Sequence, residues 1–190
     1  MMDRTADDLS QENEELRAAL EQMKARLDEL ERLADTDTLT PLPNRRAFLR
    51  RLHTLILQVA RHETPAAVLF IDLDGLKRIN DEYGHHVGDI VLREVAARLT
   101  ESLRAPDMVA RIGGDEFGLI LDHLGEADAE AKACALNHLI ADTPIDLGCT
   151  TVTVSVSVGM AVVRGDDTAE TLLERADAAM YAKRLHRSWR

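Results

Sequence analysis

Two carboxylates at the end of an apolar segment are the first residues of this sequence that could do chemistry. Asp72 and Asp74 close the segment AAVLFIDLD, which predicts a buried strand, and Gly75 opens the following turn. Because side chains alternate along a strand, both carboxylates lie on one side and Leu73 on the other. Either carboxylate could hold Mg²⁺ through hard oxygen ligands. Taken alone, the pair is more typical of a solvated turn, and it lacks the spacing and terminal Glu of a calcium-binding loop.

A second acidic pair follows a glycine turn. The segment RIGGDEF places Asp115 and Glu116 directly after Gly113 and Gly114. Glycine accepts positive φ and lets a ligand approach the backbone closely, so this turn could bring carboxylate oxygens beside a nucleotide. An ordinary Gly-Gly-Asp hairpin turn is the alternative, and the composition of the segment alone favours that alternative.

The charge balance limits the partners. The 190 residues include 34 Asp and Glu against 23 Lys and Arg, a net charge of −11. Proteins that bind nucleic acids usually carry a basic face, so no nucleic acid partner is expected. An acidic protein that binds an anionic nucleotide needs divalent cations or a few focused basic side chains at the site.

The sequence predicts a cytoplasmic protein with reduced cysteines. Its N-terminus, MMDRTADDLSQ, lacks the apolar core of a signal peptide, and no run of about 18 apolar residues could span a membrane. Cys134 and Cys149 show neither metal-ligand nor CxxC spacing. Both are interpreted as packed, reduced thiols.

A long helix is predicted before the acidic motifs. Residues 6–34 contain no Gly or Pro, and their apolar residues repeat every seven positions, as in a coiled coil. Asn13 occupies an a position, where an amide that pairs with its counterpart favours a parallel two-stranded register. A parallel homodimer is therefore predicted, and a solitary solvated helix is the alternative. The seam comprises Ala6, Leu20, Leu27 and Ala34 at a, and Leu9, Leu16, Met23 and Leu30 at d.

The elements that must position the carboxylates begin near residue 37. The segment TDTLTPLPNRRAF breaks the heptads and opens a helix toward His62. The order of the later elements predicts an α+β fold with a ferredoxin-like βαββαβ core, a mainly antiparallel sheet and helices on one face. The predicted strands are 67–72, VARI, FGLIL and a long strand over 150–163; the predicted helices are 87–103, 127–141 and 168–186.

Several separated motifs together resemble the GGDEF family of diguanylate cyclases. RIGGDEF, with DLDGLKRIND and YGHHVGD upstream, carries the resemblance, and DTLTPLPNRR, VSVSVGMAV and RADAAMYAKR extend it over residues 37–187. The resemblance implies a nucleotide-cyclase-like cyclase domain over residues 37–190, and the heptads predict a parallel dimeric coiled coil and hinge over residues 1–36. It also implies an enzyme that condenses two GTP into cyclic di-GMP and releases two pyrophosphates.

The resemblance assigns roles to individual residues. Two Mg²⁺ ions, with Mn²⁺ as a substitute, would be held by Asp72, the Leu73 carbonyl, Asp115 and Glu116. Glu116 is the candidate to assist deprotonation of the attacking hydroxyl. Asn80 and Asp89 would read guanine, which selects GTP over ATP. The remaining substrate contacts would come from Lys77, also assigned to catalysis with Asp115 and Glu116, and from Gly75, Leu76, Gly114, Lys183 and Arg187.

A regulatory site is implied as well. Arg104 and Asp107 form an RxxD sequence five residues before the glycine pair, as in family members that cyclic di-GMP inhibits. Arginine can grip phosphate or stack on guanine, and aspartate can accept from the edge of guanine. Because each domain presents one GTP, two domains must face each other, and the coiled coil would raise their effective concentration.

The sequence departs from the family pattern in three places. Pro41 replaces a usual glycine, Gly75 or Leu76 stands where an aromatic residue is common, and LHRSWR replaces the usual GRN segment. A non-catalytic receptor for cyclic di-GMP or GTP is the main rival interpretation, although such modules usually lose the acids that are intact here. A coiled-coil scaffold is the second rival.

Overall fold

The computed structural model describes residues 6–148 and 150–187, with side chains described from residue 11 to residue 182 apart from residue 149. The chain divides into two compact units, one ending at Thr36 and the other beginning at Asp37. Within the described residues, no helix combines the length and the apolar character that crossing a bilayer requires.

The first unit is one helix, α1 (Ala6–Asp35). Good helix formers without Gly or Pro account for its unbroken length. The large apolar side chains of the predicted seam between Leu16 and Leu30 are more than half exposed in the single chain, from 52% for Leu20 to 72% for Met23. An ion pair between Glu29 and Arg32, with N and O 2.8 Å apart, lies on the surface of the helix.

The second unit confirms the predicted α+β fold. Its main sheet has the strand order β2-β3-β1-β6, and each neighbouring pair is antiparallel. In chain order the elements are α2 (Arg45–His62), β1 (Ala66–Asp74), α3 (Leu76–Tyr83), α4 (His85–Glu101), β2 (Met108–Arg111), β3 (Glu116–Asp122), α5 (Glu126–Ala141), β4 (Ile145–Asp146), β5 (Thr151–Val152), β6 (Ser155–Val162) and α6 (Ala169–Arg187).

Helices cover both faces of the sheet, so the prediction of helices on one face was wrong. Leu69 and Ile71 of β1 belong to a core that includes side chains of α4 and α5, whereas Val68 and Phe70 belong to a core shared with α2 and α6. The physical reason lies in β1, whose apolar run leaves both faces in need of cover. The apolar sides of α2 and α6 supply the second layer.

Three further expectations need correction. The long strand predicted over 150–163 is two strands, because β5 pairs with β4 in a separate small sheet and only β6 joins β1. A helix not predicted from the sequence, α3, follows Gly75, whose positive φ of 84° turns the chain from β1 into the helix. Cys134 is exposed rather than packed, since it lies on the outer side of α5; Cys149 lies outside the described residues.

Candidate active site

The strand register brings the predicted acidic residues to one point. Asp72 lies directly opposite Glu116 in the antiparallel pair of β1 and β3. The Leu73 N–H donates to the Asp115 carbonyl at 3.0 Å, and the Ile112 N–H donates to the Glu116 carbonyl at 2.9 Å, which closes the glycine turn. Asp72 is only 7% exposed. The two acidic motifs therefore form one site although more than 40 residues separate them.

Asp74 bonds to the neighbouring strand β6. Its carboxylate accepts hydrogen bonds from the hydroxyl groups of Ser155 and Ser157 on β6, each at 3.0 Å. Asp74 thus ties the end of β1 to its neighbouring strand. Of the two carboxylates at the strand end, Asp72 is the one opposite the glycine turn.

The donors gathered at the turn suit a hard divalent cation. Carboxylate and carbonyl oxygens are the ligands that Mg²⁺ prefers. Among the described residues, no three His, Cys, Asp or Glu side chains stand close enough together to enclose a metal ion. Mg²⁺ at phosphate-transfer sites usually takes one or two carboxylates and completes its shell with water and substrate phosphates, so the donor set of Asp72, Asp115 and Glu116 fits in its chemistry.

A cleft of about 260 Å³ opens beside Glu116, between α2 and α6. Its floor is apolar and includes Phe48, Phe70 and Met180, while Arg45 and Asp177 stand among its charged residues. The cleft lies on the same face of the sheet as Asp72. Glu116 therefore borders an apolar wall on one side and the carboxylates on the other.

The packing of α3 against α4 sets Asn80 against Gly88, the residue directly before Asp89. Asn80 lies so close to α4 that a Cβ added at Gly88 would collide with its side-chain amide. Asn80 Oδ1 is buried and has no hydrogen-bond partner among the described residues. Sequence reasoning missed Gly88, although the glycine directly before Asp89 was its signal. A buried acceptor without a partner is costly, which favours a bound ligand that would donate to it.

The start of α3 offers donors for an anion. Gly75 caps the helix, and the first N–H groups of any helix lack intrahelical partners. No acidic residue lies in the first turn, where Leu76 is followed by Lys77. The predicted phosphate contacts Gly75, Leu76 and Lys77 thus lie together at a helix N-terminus next to the carboxylates. The side chains of Lys183 and Arg187, in the last part of α6, lie outside the described residues.

Arg111 stabilises the glycine turn through hydrogen bonds. Its guanidinium donates to the Gly114 carbonyl, from Nη2 at 2.7 Å and from Nε at 3.2 Å, and its Nη1 donates to Asp37 at 3.1 Å. Asp37 also accepts from the N–H and the hydroxyl of Thr40, at 2.8 and 2.7 Å. The structure therefore links the turn of residues 37–44 to the glycine turn, a connection that sequence reasoning missed.

Asp37 is the acidic group of this link. Burial acts to raise its pKa, but the hydrogen bonds from Thr40 and the guanidinium of Arg111 outweigh burial and lower the pKa below its ordinary value. The charged form of Asp37 is thus the one that the fold stabilises.

The RxxD residues lie at the opposite end of β2 from the glycine turn. The Arg104 side chain is 58% exposed, and it borders two clefts, one shared with Lys132 of α5 and the other with Pro41 and Pro43. The Asp107 side chain is only 2% exposed. The two residues that the resemblance pairs as ligand contacts therefore differ sharply in their access to solvent.

Comparison with known proteins places most of the chain in one family model. The family model described as "Diguanylate cyclase, GGDEF domain" matches residues 34–189. The chain is 46% identical over 154 residues to the bifunctional diguanylate cyclase/cyclic di-GMP phosphodiesterase MucR of Pseudomonas aeruginosa, covering 80% of this chain and 22% of MucR. It is 41% identical over 194 residues to diguanylate cyclase TpbB of the same species, covering 96% of this chain and 44% of TpbB. The chain thus spans less than half the length of these curated relatives.

A solved structure shows that the similarity extends to the fold. The coiled coil and GGDEF domain of DgcB from Caulobacter crescentus, determined in complex with c-di-GMP, matches with a TM-score of 0.83 at 28% identity. The match covers 94% of this chain and 95% of the DgcB chain, and it confirms the predicted nucleotide-cyclase-like fold. With a family model that covers most of its length and relatives of this identity, the chain belongs to the diguanylate cyclase GGDEF domain family.

Proposed function

We propose that this chain is a diguanylate cyclase, which condenses two GTP into cyclic di-GMP and releases two pyrophosphates. The observation that carries the proposal is the register that sets Asp72 opposite Glu116 and joins Leu73 to Asp115. Relatives named as diguanylate cyclases support the assignment. The intact acidic residues argue against a domain that has lost its chemistry.

Guanine would be recognised between α3 and α4. The buried Oδ1 of Asn80 can accept from a donor on the base, and the carboxylate of Asp89 can accept from guanine N1–H and N2–H. Adenine offers no matching pair of donors, so these two side chains favour GTP over ATP. The hydrogen bond that fills the unpaired acceptor of Asn80 also adds to affinity.

The triphosphate would lie at the N-terminus of α3. Lys77 and the N–H groups of Gly75 and Leu76 can hold the β- and γ-phosphates there, and Lys183 and Arg187 are proposed as further phosphate contacts. A divalent cation held by Asp72, the Leu73 carbonyl, Asp115 and Glu116, with Mg²⁺ the proposed ion and Mn²⁺ a substitute, would neutralise phosphate charge and increase the acidity of the attacking hydroxyl.

The reaction joins two substrates by reciprocal attack. The 3′-hydroxyl oxygen of one GTP bonds to the α-phosphorus of the other, the bond from that phosphorus to the bridging oxygen breaks, and pyrophosphate leaves. Glu116 is proposed to accept the hydroxyl proton. The second attack closes the ring in the same way, so the protein contributes mainly by holding both nucleotides in line.

Two domains must face each other for both bonds to form, because each presents one GTP. The exposed heptad seam of α1 supports a parallel homodimer that raises the effective concentration of one domain near the other.

Cyclic di-GMP bound at Arg104 and Asp107 is proposed to inhibit the enzyme, and the complex of DgcB with c-di-GMP shows that a structural relative binds this compound.

Incubation of the full chain with GTP and Mg²⁺, followed by chromatography of the nucleotides, tests the proposal. Cyclic di-GMP and two equivalents of pyrophosphate are expected. Bound but unconverted nucleotide would instead support a receptor, and neither binding nor conversion would support a scaffold. Parallel incubations with ATP, with Mn²⁺ and with a metal chelator test base selection and the cation.

A further inference from the structure

The carboxylate of Asp74 is bound by two serines at the start of β6. Its Oδ2 accepts from the Ser155 hydroxyl and its Oδ1 from the Ser157 hydroxyl, each at 3.0 Å. Ser155 lies directly opposite Asp74 in the strand register, whereas Ser157 lies opposite Asp72. A serine hydroxyl has a single hydrogen to donate, and Ser157, which is 3% exposed, donates it to Asp74 and not to the residue opposite it. Both hydroxyls therefore hold the same carboxylate.

Asp74 ends β1 immediately before the turn into α3. Gly75, which makes the turn, has a positive φ of 84°, and no side chain caps the helix there. Glycine restricts the backbone less than other residues do, so the conformation of the turn depends on the residues on either side. Leu76 is anchored in the core after the glycine, and Asp74 is anchored on β6 before it. The proposed phosphate contacts, Gly75, Leu76 and Lys77, thus begin directly after the Asp74 anchor.

We propose that Asp74 is a positioning residue for the triphosphate: the hydroxyls of Ser155 and Ser157 fix its carboxylate, and the fixed carboxylate holds the turn at Gly75 in the conformation that binds the β- and γ-phosphates. This inference rests on the substrate proposed above. A turn that is ordered before the ligand arrives loses less freedom on binding, and the complex is tighter for that reason.

The effect is confined to the outer phosphates. The guanine contacts are proposed between α3 and α4, and α3 beyond the turn has its own anchors, since Leu76 and Ile79 are buried in the core. Loss of the serine hydroxyls should therefore weaken a triphosphate and spare a monophosphate. A serine pair that only stabilised the sheet would give no such distinction between ligands.

The first test is calorimetric titration of the full chain, in Mg²⁺, with 3′-deoxy-GTP and with GMP. 3′-Deoxy-GTP lacks the attacking hydroxyl, so it binds without being condensed. We expect the double variant Ser155→Ala, Ser157→Ala to raise the Kd for 3′-deoxy-GTP about 3- to 10-fold, the range set by the cost of ordering one flexible group. The Kd for GMP should change by less than about 2-fold. Equal losses for both ligands, or no loss for either, would overturn the inference.

The replacement Asp74→Ala gives a test of sign. Removing a negative charge beside the phosphates should by itself tighten binding of an anion, whereas removing an anchor should weaken it. We expect Asp74→Ala to weaken 3′-deoxy-GTP, by no more than the serine double variant does. Tighter binding would contradict positioning, and a loss much larger than that of the serine variant would make Asp74 a direct ligand of the cation and also contradict it. Combining Asp74→Ala with both serine changes should add nothing further, since the contact is already gone.

Two conservative variants provide the controls. Ser155→Thr keeps the hydroxyl and should bind both ligands as the wild type does, so behaviour like that of Ser155→Ala would be evidence against the proposal. Ser102→Ala removes a hydroxyl that donates to the Leu99 carbonyl at 2.7 Å, at the end of α4, and should leave both Kd values unchanged. Thermal unfolding of every variant checks the fold, and the comparison of two ligands on one protein cancels a general loss of folded material.

Steady-state kinetics separate this inference from the function on which it rests. If the chain forms cyclic di-GMP, the serine double variant should raise KM for GTP about 3- to 10-fold and change kcat by less than about 2-fold, because only binding of the outer phosphates is lost. Turnover by the wild type with serine variants that behave like Ser102→Ala would refute the positioning role alone. If the wild type binds 3′-deoxy-GTP but converts no GTP, the proposed reaction is wrong while the two Kd values still decide the role of Asp74. A wild type that binds neither ligand would overturn both.

Discussion

The carboxylates at the strand end differ in role because their neighbours differ. Asp74 is satisfied by two serine hydroxyls of β6, whereas Asp72 lies opposite Glu116 and beside Asp115. The proposed cation would need carboxylate oxygens, and the strand register and the glycine turn bring Asp115 and Glu116 to the point where β1 ends.

Replacement of Asp115 by alanine tests this centre. We expect Asp115→Ala to lower kcat by about 100-fold or more, because loss of a cation ligand removes several kcal/mol of transition-state stabilisation. Asp166→Asn, which changes an exposed carboxylate far along the chain, serves as the control. Cyclic di-GMP formation is measured by chromatography with circular dichroism as the folding check, and wild-type turnover by folded Asp115→Ala would contradict the assignment.

Protonation of Asp37 is expected to lower the free energy of unfolding. The folded state lowers its pKa, so its charge contributes stability above the unfolded pKa of about 4, and that contribution is lost as the pH falls through the lower folded pKa. We expect Asp37→Asn to be less stable than the wild type at pH 7, and the difference to shrink below about pH 4.

Urea unfolding of both proteins from pH 7 to pH 3 measures this difference. Asp166→Asn again provides the comparison, since a change in net charge by one unit is common to both variants. A gap between wild type and Asp37→Asn that stays constant over the whole pH range would contradict the predicted contribution of the Asp37 charge.

At the scale of elements, close packing of helices on the sheet positions the site. A Cβ added at Gly159 of β6 would collide with the Ala176 carbonyl of α6 and would lie 2.6 Å from Cβ and N of Met180. A Cβ at Gly118 of β3 would lie 2.7 Å from the Phe48 ring of α2. Glycine at these strand positions thus lets both helices approach the face that carries Asp72.

We therefore expect Gly159→Ala to lower the free energy of unfolding by about 1–3 kcal/mol, the usual cost of overpacking. Gly125→Ala is the control, because a Cβ there meets no atom within 4 Å and φ is −77°; its effect should stay within about 0.5 kcal/mol. Denaturant unfolding measures both. Equal stability of the two variants would contradict the prediction, because it would mean that α6 can move to make room for the added Cβ at no cost in stability.

At the scale of the whole molecule, the proposed reaction would need two chains. The large apolar seam side chains from Leu16 to Leu30 are exposed in the single chain, and a helix such as α1 gains most of its stability from packing against a partner. If α1 forms the dimer, the specific activity of the second unit is therefore expected to rise with protein concentration.

The double variant Leu20→Asp, Leu27→Asp tests that link. Charges at two a positions should convert the dimer to a monomer in sedimentation experiments and lower specific activity, which should recover as protein concentration rises. Ala18→Asp, Ala25→Asp places the same charges on the outer f positions and should change neither. A monomer with full activity at low concentration would contradict the proposed dimer dependence.

The sequence by itself determined the local features of this protein. Heptad spacing predicted α1, the apolar run ending in carboxylates predicted β1, and the glycine turn with its acids led to the family. These patterns are legible because periodicity and turn chemistry act between residues close along the chain.

Only the tertiary structure decided which distant groups meet. The contact of Arg111 with Asp37 joins positions 74 residues apart, the fit of Asn80 depends on Gly88, and Asp107 is enclosed because the end of β3 donates to it. Such contacts follow from strand register and helix packing, which depend on the side chains of the whole domain at once. For this reason the sequence identified Asp107 as a residue of interest, while the structure determined which groups its oxygens bind.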